Sequence, residues 1–219
     1  MTTRTYGDAC GVPRALDRVG ERWALMIVRE LLLGPKRFTD FRTGLPHASP
    51  NVLAERLREL EQTGVVHRRT LPPPAAARVY ELSEWGLELA PVVDALGRWG
   101  ARAPLAPPDA GMSLDAHVLS LKTLFDPELA EGFEATLDLR LGPERFRAEV
   151  ADGHLDIRRG EASAPDATIT AEPGTVLALA HGRLALADAK DEVAIEGNVK
   201  VVERFLGLFT MPAPYAPAT

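Results

Sequence analysis

One predicted helix carries polar side chains of the kinds that bond the edges of DNA bases. Its leucines recur at helical spacing and predict a buried stripe along one face. On the opposite face, an asparagine and an arginine suit hydrogen bonds to base edges, and a glutamate suits a cytosine amine. The stripe consists of Leu53, Leu57 and Leu60, and the candidate base contacts are Asn51, Glu55 and Arg58.

The neighbouring elements predict a winged helix-turn-helix around this helix. Ser49 is a good N-cap, and Pro50 is tolerated at the first helical position. A short helix over 37–43 and a tight turn come before them, as major-groove insertion requires. Two predicted strands, 65–70 and 78–82, follow and form a hairpin wing that contacts phosphates or the minor groove. The further candidate DNA contacts are Lys36, Arg37, Thr39, Ser49, Arg68, Arg69 and Arg78.

A long helix, predicted from Ser83 to Arg102, carries more apolar surface than a small domain covers. Because a large exposed apolar surface is typical of an association site, we interpret part of this helix as the interface of a homodimer. Its large apolar residues are Leu87, Leu89, Val92, Val93, Leu96 and Trp99.

The overall charge of −6 averages two unlike halves of the chain. Residues 1–104 contain 15 Lys/Arg and 12 Asp/Glu, a net charge of +3, whereas residues 105–219 contain 10 and 19, a net charge of −9. We therefore expect a polyanionic partner to meet the first half. The sequence has no apolar run of bilayer-spanning length and no secretion signal at its start, so we expect a cytoplasmic protein without a membrane partner.

A segment rich in proline and glycine, 104–112, is predicted to be a linker between two domains. Residues 1–103 are predicted to form a mainly α winged helix-turn-helix domain for DNA binding and dimerisation. Residues 113–211 are predicted to form an α+β domain, in which a five-stranded sheet is covered by helices. The proline-rich residues 212–219 are predicted to form a flexible tail.

Alternating apolar residues predict the five strands of the second domain. Their inward residues are nearly all aliphatic or phenylalanine, which a domain of this size needs in order to fold, so a cavity does not follow from apolar content. The predicted strands cover 136–141, 145–150, 154–158, 167–171 and 192–196, and the predicted helices cover 113–125, 173–180 and 198–209.

Residues 10–100 closely resemble the HxlR family of winged-helix regulators, which are related to MarR proteins. The matching stretches are CGVPRALDRVG from Cys10, RELL from Arg29, GPKRFTDF from Gly34, SPNVLAERLRELE from Ser49 and YELSEWG from Tyr80. The resemblance implies a homodimer whose paired recognition helices bind double-stranded DNA at a two-fold symmetric operator.

Some members of that family sense oxidants through an N-terminal cysteine, and Cys10 stands at the corresponding place. It precedes a helix that is predicted to start near Val12, and a helix N-terminus favours a thiolate. The alternative interpretation is a small apolar residue at a helix start. A redox switch with an intersubunit disulfide at Cys10 is therefore a hypothesis that can coexist with DNA binding.

Residues 113–209 look like the sterol carrier protein type-two family. The matching stretches are PDATITA from Pro165, GTVLALAHG from Gly174 and residues 187–197. The resemblance implies a five-stranded sheet packed with helices around an apolar tunnel that holds a hydrophobic small molecule. The candidate lining residues are Phe125, Phe133, Phe146, Leu177, Phe205 and Phe209.

The sequence predicts a transcriptional repressor whose second domain binds a hydrophobic effector. The histidines form no metal-ligand pattern, and nucleophile-elbow, P-loop and dinucleotide-binding motifs are missing, so we expect no metal, no cofactor and no enzymatic activity. Two alternatives remain open. In one, the protein carries a lipid-like ligand and the winged helix only dimerises it; in the other, the second domain is ligand-free and enlarges the dimer interface.

Overall fold

The computed structural model describes residues 5–104 and 111–216. The chain divides into two compact units, with the division between Val93 and Asp94. Most of the predicted linker, residues 105–110, lies outside the described residues, and so do residues 217–219 of the predicted tail. No helix in the described ranges is long and apolar enough to cross a membrane.

The first unit contains a helix-turn-helix followed by a two-stranded hairpin. Its leading helices pack around a core of apolar side chains that includes Ile27, Phe41 and Leu57. The strands of the hairpin are antiparallel, with Val66 opposite Leu82 and Thr70 opposite Arg78. The elements are α1 (Gly11–Val19), α2 (Ala24–Leu31), α3 (Phe38–Gly44), α4 (Pro50–Gln62), β1 (Val66–Thr70), β2 (Arg78–Leu82), α5 (Glu84–Leu87) and α6 (Ala90–Gly100), the last of which crosses the division.

The single long helix predicted over 83–102 is wrong, because the structure has two helices there, α5 and α6. Proline at position 91 lacks a backbone N–H, so it suits the first turn of a new helix better than the interior of a continuing one. Gly86 holds α5 close to the hairpin: a Cβ at this position would lie 2.2 Å from the carbonyl oxygen of Val65. Close backbone packing and the proline together separate the two helices.

The second unit is the predicted five-stranded sheet covered by helices. The strand order is β5-β4-β3-β6-β7, in which β3 and β6 are parallel and the other pairs are antiparallel. The elements are α7 (Leu114–Leu124), β3 (Ala135–Leu141), β4 (Glu144–Ala151), β5 (His154–Arg159), β6 (Ala167–Ala171), α8 (Pro173–Ala180), a 3₁₀ turn (Leu186–Asp188), β7 (Val193–Gly197) and α9 (Val199–Leu206).

The last helix ends earlier than predicted, at Leu206 rather than at Phe209. Gly207 follows the helix, and the chain then runs extended beside the end of α7, where Phe209 and Phe125 form an antiparallel bridge. Two backbone hydrogen bonds hold this pairing: Asp126 N–H donates to the Leu208 carbonyl at 2.8 Å, and Thr210 N–H donates to the Leu124 carbonyl at 2.9 Å. These bonds replace the ones that a longer helix would make.

Part of the predicted tail is bonded to the end of α6. The backbone N–H of Tyr215 donates to the Arg102 carbonyl at 2.8 Å, and Nε of Arg102 donates to the Ala213 carbonyl at 3.3 Å.

Candidate DNA-binding surface and ligand cleft

The corner between α3 and α4 is fixed by buried apolar side chains. Phe41, Leu45 and Ala48 are all buried. The N–H of Leu45 donates to the Phe41 carbonyl at 2.8 Å, and the N–H of Ala48 donates to the Leu45 carbonyl at 3.0 Å. Because the turn is both packed and hydrogen-bonded, the direction in which α4 leaves it is set.

The start of α4 has the predicted cap. Oγ of Ser49 accepts a hydrogen bond from the N–H of Val52 at 3.4 Å, and Pro50 occupies the first turn. A serine cap satisfies one of the backbone donors that a helix N-terminus leaves unpaired. The predicted helix start at Ser49-Pro50 is confirmed.

The two faces of α4 differ as the leucine spacing predicts. The stripe of three leucines at 53, 57 and 60 is fully buried. Asn51 and Arg58 are exposed, whereas Glu55 is half-buried and lies 3.5 Å from the guanidinium of Arg56. Asn51 and Arg58 therefore lie on a surface of the first unit that is open to a duplex.

Arg56 anchors α4 to the rest of the first unit. Its side chain is largely buried and forms ion pairs with Glu21 at 3.5 Å and with Glu59 on the same helix. Burial raises the pKa of Glu59, and the positive charge of Arg56 partly opposes that rise. Arg56 thus supports the helix, in contrast to its exposed neighbour Arg58.

The wing presents arginines on β1 and β2, and two of them are paired with carboxylates. Arg68 lies 3.0 Å from Glu61, and its guanidinium carbon lies 5.3 Å from the centroid of the Tyr80 ring. Arg69 lies 2.9 Å from Glu81. Exposed ion pairs contribute only about 0.2–1 kcal/mol, so a DNA phosphate can compete for these guanidinium groups.

The third wing arginine, Arg78, is exposed at the first position of β2, opposite Thr70. Arg37 and Thr39 are also exposed, at the N-terminal end of α3. The backbone N–H of Arg37 donates to Oδ2 of Asp40 at 2.7 Å, which caps this helix.

Lys36 occupies a more enclosed position than a DNA contact requires. Its Nζ lies 3.3 Å from Oε2 of Glu30, a fully buried carboxylate that also pairs with Arg29 at 2.8 Å. Its backbone exchanges two hydrogen bonds with Tyr80 of β2, at 2.9 and 2.8 Å. Lys36 therefore joins α2 to the wing.

We expect the substitution Lys36→Met to lower the free energy of unfolding by about 1–3 kcal/mol, because it removes one partner of a buried carboxylate. The exposed neighbour provides the matched control: Arg37→Met removes the same charge and should change stability by less than about 0.5 kcal/mol. Urea unfolding of both variants measures the difference. Equal stabilities of the two variants would contradict the structural role of Lys36.

One side of α6 exposes apolar side chains to solvent. Val92, Leu96 and Trp99 are four and three residues apart, which places them on one side of the helix. All three are exposed, Trp99 to 75%. None of the residues of α6 is buried in the single chain.

Cys10 is exposed at the N-cap of α1. Its backbone N–H donates to the carboxylate of Asp8 at 2.8 Å. A carboxylate therefore lies beside the backbone of this residue, and the redox switch at Cys10 stays a prediction.

The residues predicted to line a ligand tunnel are mostly part of the packed core. Phe146 and Phe205 are fully buried, and Phe125 packs edge-on against Phe209 at 6.3 Å between ring centroids. Phe133 is half-buried, 6.0 Å from the guanidinium carbon of Arg204. Leu177, the remaining member, is half-buried on α8. Four of the six predicted lining residues, all phenylalanines, are thus buried, and the tunnel itself stays a prediction.

A cleft of about 420 Å³ opens instead between the ends of α8 and α9, and Phe209 borders it. Its walls are mainly aliphatic, with one histidine and one glutamate. Burial lowers the pKa of the histidine, His181, and the positive charge of Arg183 lowers it further. The lining residues are Leu179, Ala180, His181, Gly182, Leu184, Leu186, Glu203, Leu206, Gly207 and Phe209.

Another cleft, of about 520 Å³, lies beside β6 and β7. Its walls include Glu172, Lys190 and Asp191. Charged walls of this kind do not suit an apolar ligand, so the cleft at His181 is the better candidate although it is smaller.

Sequence reasoning missed the cleft because its walls combine the ends of two helices, α8 and α9, with loop residues that follow no periodic pattern. The polar residues of the walls, one histidine and one glutamate, lie far apart in the sequence and form no recognisable pattern. The wing pairings with Glu61 and Glu81 were missed for a similar reason: both depend on which residues face one another across elements.

Comparison with known proteins also divides the chain into two parts, which meet within residues 105–110. Residues 18–105 match the family model of the HxlR-like helix-turn-helix. Residues 110–215 match the model described as the alkyl sulfatase C-terminal domain. The predicted resemblance of the second half to sterol carrier proteins is not among these matches and stays a prediction.

Relatives of the first half are described as helix-turn-helix transcriptional regulators. YvaP of Bacillus subtilis (strain 168) is 40% identical over 86 residues, which are 39% of this chain and 80% of the relative. YodB of the same organism is 39% identical over 85 residues, 39% of this chain and 76% of the relative. A crystal structure of quinone-bound YodB from B. subtilis covers 41% of this chain and 93% of that chain, with 35% identity and a TM-score of 0.36. On the sequence similarity of its first half, the protein belongs to the family of HxlR-like helix-turn-helix transcriptional regulators.

Proposed function

We propose that this protein is a dimeric, DNA-binding repressor whose second unit binds a hydrophobic small-molecule effector. The exposed polar face of α4 is the observation that carries DNA recognition. Asn51 and Arg58 project from it, while the leucine stripe holds the opposite face in the core. The major groove of B-DNA admits one α-helix, and asparagine and arginine both bond base edges there.

The wing supplies the sequence-independent part of the interaction. Arg68, Arg69 and Arg78 are exposed cations on one short hairpin. Phosphate contacts of this kind fix the register of a protein on the duplex, whereas base contacts give sequence preference.

Dimerisation is supported by the exposed apolar stripe of α6 and by the family, whose members typically form dimers. A two-fold dimer presents two recognition helices to successive major grooves, about 34 Å apart. Its operator would then repeat the same half-site in opposite orientations.

The effector is assigned to the cleft at His181. A volume of about 420 Å³ suits a small molecule, and the walls are mainly apolar. Alkyl sulfates, to which the name of the matched family model refers, join an apolar chain to a polar head, and we assign the effector of this protein to the same broad class of amphiphiles. The ligand changes repression only if it binds the DNA-competent and DNA-incompetent states with different affinities, and a full reversal of populations needs a difference of about 10⁴-fold.

Salt dependence tests the central part of this proposal. We expect the affinity of the full chain for a labelled duplex from upstream of its own gene to fall steeply between 50 and 200 mM salt. If five or six phosphates are neutralised, the slope of log affinity against log salt is about −5. Fluorescence anisotropy gives the affinity at each salt concentration.

A ligand extracted from the purified protein, identified by mass spectrometry and added back, completes the test. The main proposal expects this ligand to lower DNA affinity. DNA affinity that is weak and insensitive to salt, together with a tightly bound ligand, would favour the alternative in which the winged helix only dimerises a carrier.

A further inference from the structure

One buried nitrogen in the second unit has no hydrogen-bond partner. Nε2 of His181 is inaccessible to solvent and unpaired within residues 5–104 and 111–216. Buried polar atoms in folded proteins are nearly always hydrogen-bonded, and leaving one unpaired costs free energy. His181 borders the cleft at the ends of α8 and α9, and a turn of its ring about the Cβ–Cγ bond would bring this nitrogen to a partner bound there.

The surroundings of this nitrogen favour an apolar molecule. Leu179 and Ala180 lie on the α8 side of the cleft, and Leu206 and Phe209 lie on the α9 side. Leu184 belongs to the loop between them. A ligand in the cleft therefore exchanges water for aliphatic and aromatic contacts where it touches these walls.

We propose that this cleft binds an amphiphile with an apolar chain and a single hydroxyl group, and that the hydroxyl pairs with Nε2 of His181. This inference rests on the proposed ligand-binding role of the second unit and names the chemical class of the effector. A hydroxyl both donates and accepts, so it pairs with Nε2 in either tautomer of a neutral imidazole.

Charge argues against an anionic head group. Desolvation lowers the pKa of His181, so its ring is neutral at neutral pH and offers no cation to an anion. Glu203 also borders the cleft, and its carboxylate repels an anion. Arg183 is the one positive charge acting on the ring among its described neighbours, and it is exposed to solvent, which screens it.

The test uses the full chain, with 1-octanol as the probe and octanoate as its anionic counterpart of equal chain length. Isothermal titration at pH 7.5 should show that 1-octanol binds at least about tenfold more tightly than octanoate. The substitution His181→Leu should weaken octanol binding about tenfold, the loss expected for one hydrogen bond to a buried group. The substitution His181→Gln, which retains a polar atom at a similar distance from the backbone, should stay within about threefold of wild type.

His154→Leu is the matched control, because His154 is an exposed histidine of the same unit, on β5 and outside the lining of the cleft. It should leave octanol binding unchanged. Thermal melting shows whether the His181→Leu variant is folded. Removing an unpaired buried nitrogen should not lower the Tm, so we expect this variant to be folded. Wild-type octanol affinity in His181→Leu, or tighter binding of octanoate than of octanol, would overturn the inference.

Failure of this inference is distinguishable from failure of the proposed function. If a co-purified ligand of another class changes DNA affinity while octanol does not bind, the effector role stands and the hydroxyl assignment is wrong. If DNA affinity responds to no apolar ligand and the cleft also binds no octanol, both are wrong.

Discussion

Replacing Arg58 with alanine is expected to weaken binding of the protein to its operator about a hundredfold. An arginine that pairs with a guanine edge contributes about 1–3 kcal/mol of discrimination, and a two-fold dimer loses the contact twice. Arg58 is exposed on α4, so truncating it leaves the buried leucine stripe and the Ser49 cap unchanged. Anisotropy titrations of a labelled operator measure the loss.

The control for this substitution is Arg145→Ala, which removes another exposed arginine, from β4 of the second unit. It changes the net charge by the same amount and should alter operator affinity by less than about threefold, because long-range electrostatics are screened at physiological salt. Thermal melting of Arg58→Ala should match wild type. If Arg58→Ala bound operator as tightly as Arg145→Ala, the assignment of α4 as the recognition helix would be wrong.

Replacing Leu96 with glutamate is expected to convert the dimer into monomers. Leu96 is the central residue of the exposed stripe on α6, with Val92 and Trp99 on either side. In a two-fold interface the change places two carboxylates against apolar surface, so we expect the dimer dissociation constant to rise by about a hundredfold or more. Light scattering after size-exclusion chromatography gives the mass of the particle.

The fold of the monomer should tolerate this change, because Leu96 is 46% exposed within the single chain. Leu129→Glu is the matched control: it changes a similarly exposed leucine of the second unit, outside α6. We expect the Leu129→Glu protein to stay dimeric and to bind operator normally. The Leu96→Glu protein should have the mass of a monomer and a lower affinity for operator. If the Leu96→Glu protein remained dimeric, the assignment of α6 to the dimer interface would be wrong.

Local features of the fold were predictable because they depend on neighbours in the sequence. The cap at Ser49, the proline after it and the leucine stripe lie within one helix, so their types and spacing define its start and its buried face. The strands of the second unit follow from alternation; in β3, for example, Leu137, Leu139 and Leu141 are buried, as predicted.

Features that depend on distant partners were not predictable in this way. Lys36 has the charge expected of a DNA contact, and only the fold brings it to the buried carboxylate of Glu30. The aromatic residues assigned to a tunnel are apolar, as required, but apolar character does not distinguish a filled space from an empty one. Phe146 and Phe205, for example, are fully buried in the second unit. The break between α5 and α6 arises partly from close packing at Gly86, which is invisible in helical periodicity.

The backbone pairing of Lys36 with Tyr80 has a consequence for how the operator is read. It clamps the hairpin to the segment before α3, and the ring of Tyr80 is further held between Phe41 and Arg68. If the protein binds DNA as proposed, we expect a clamped hairpin to follow changes in groove width less readily, so that part of the fit comes from deformation of the duplex. Base steps that bend or compress at little cost would then be preferred, even at positions that no side chain touches.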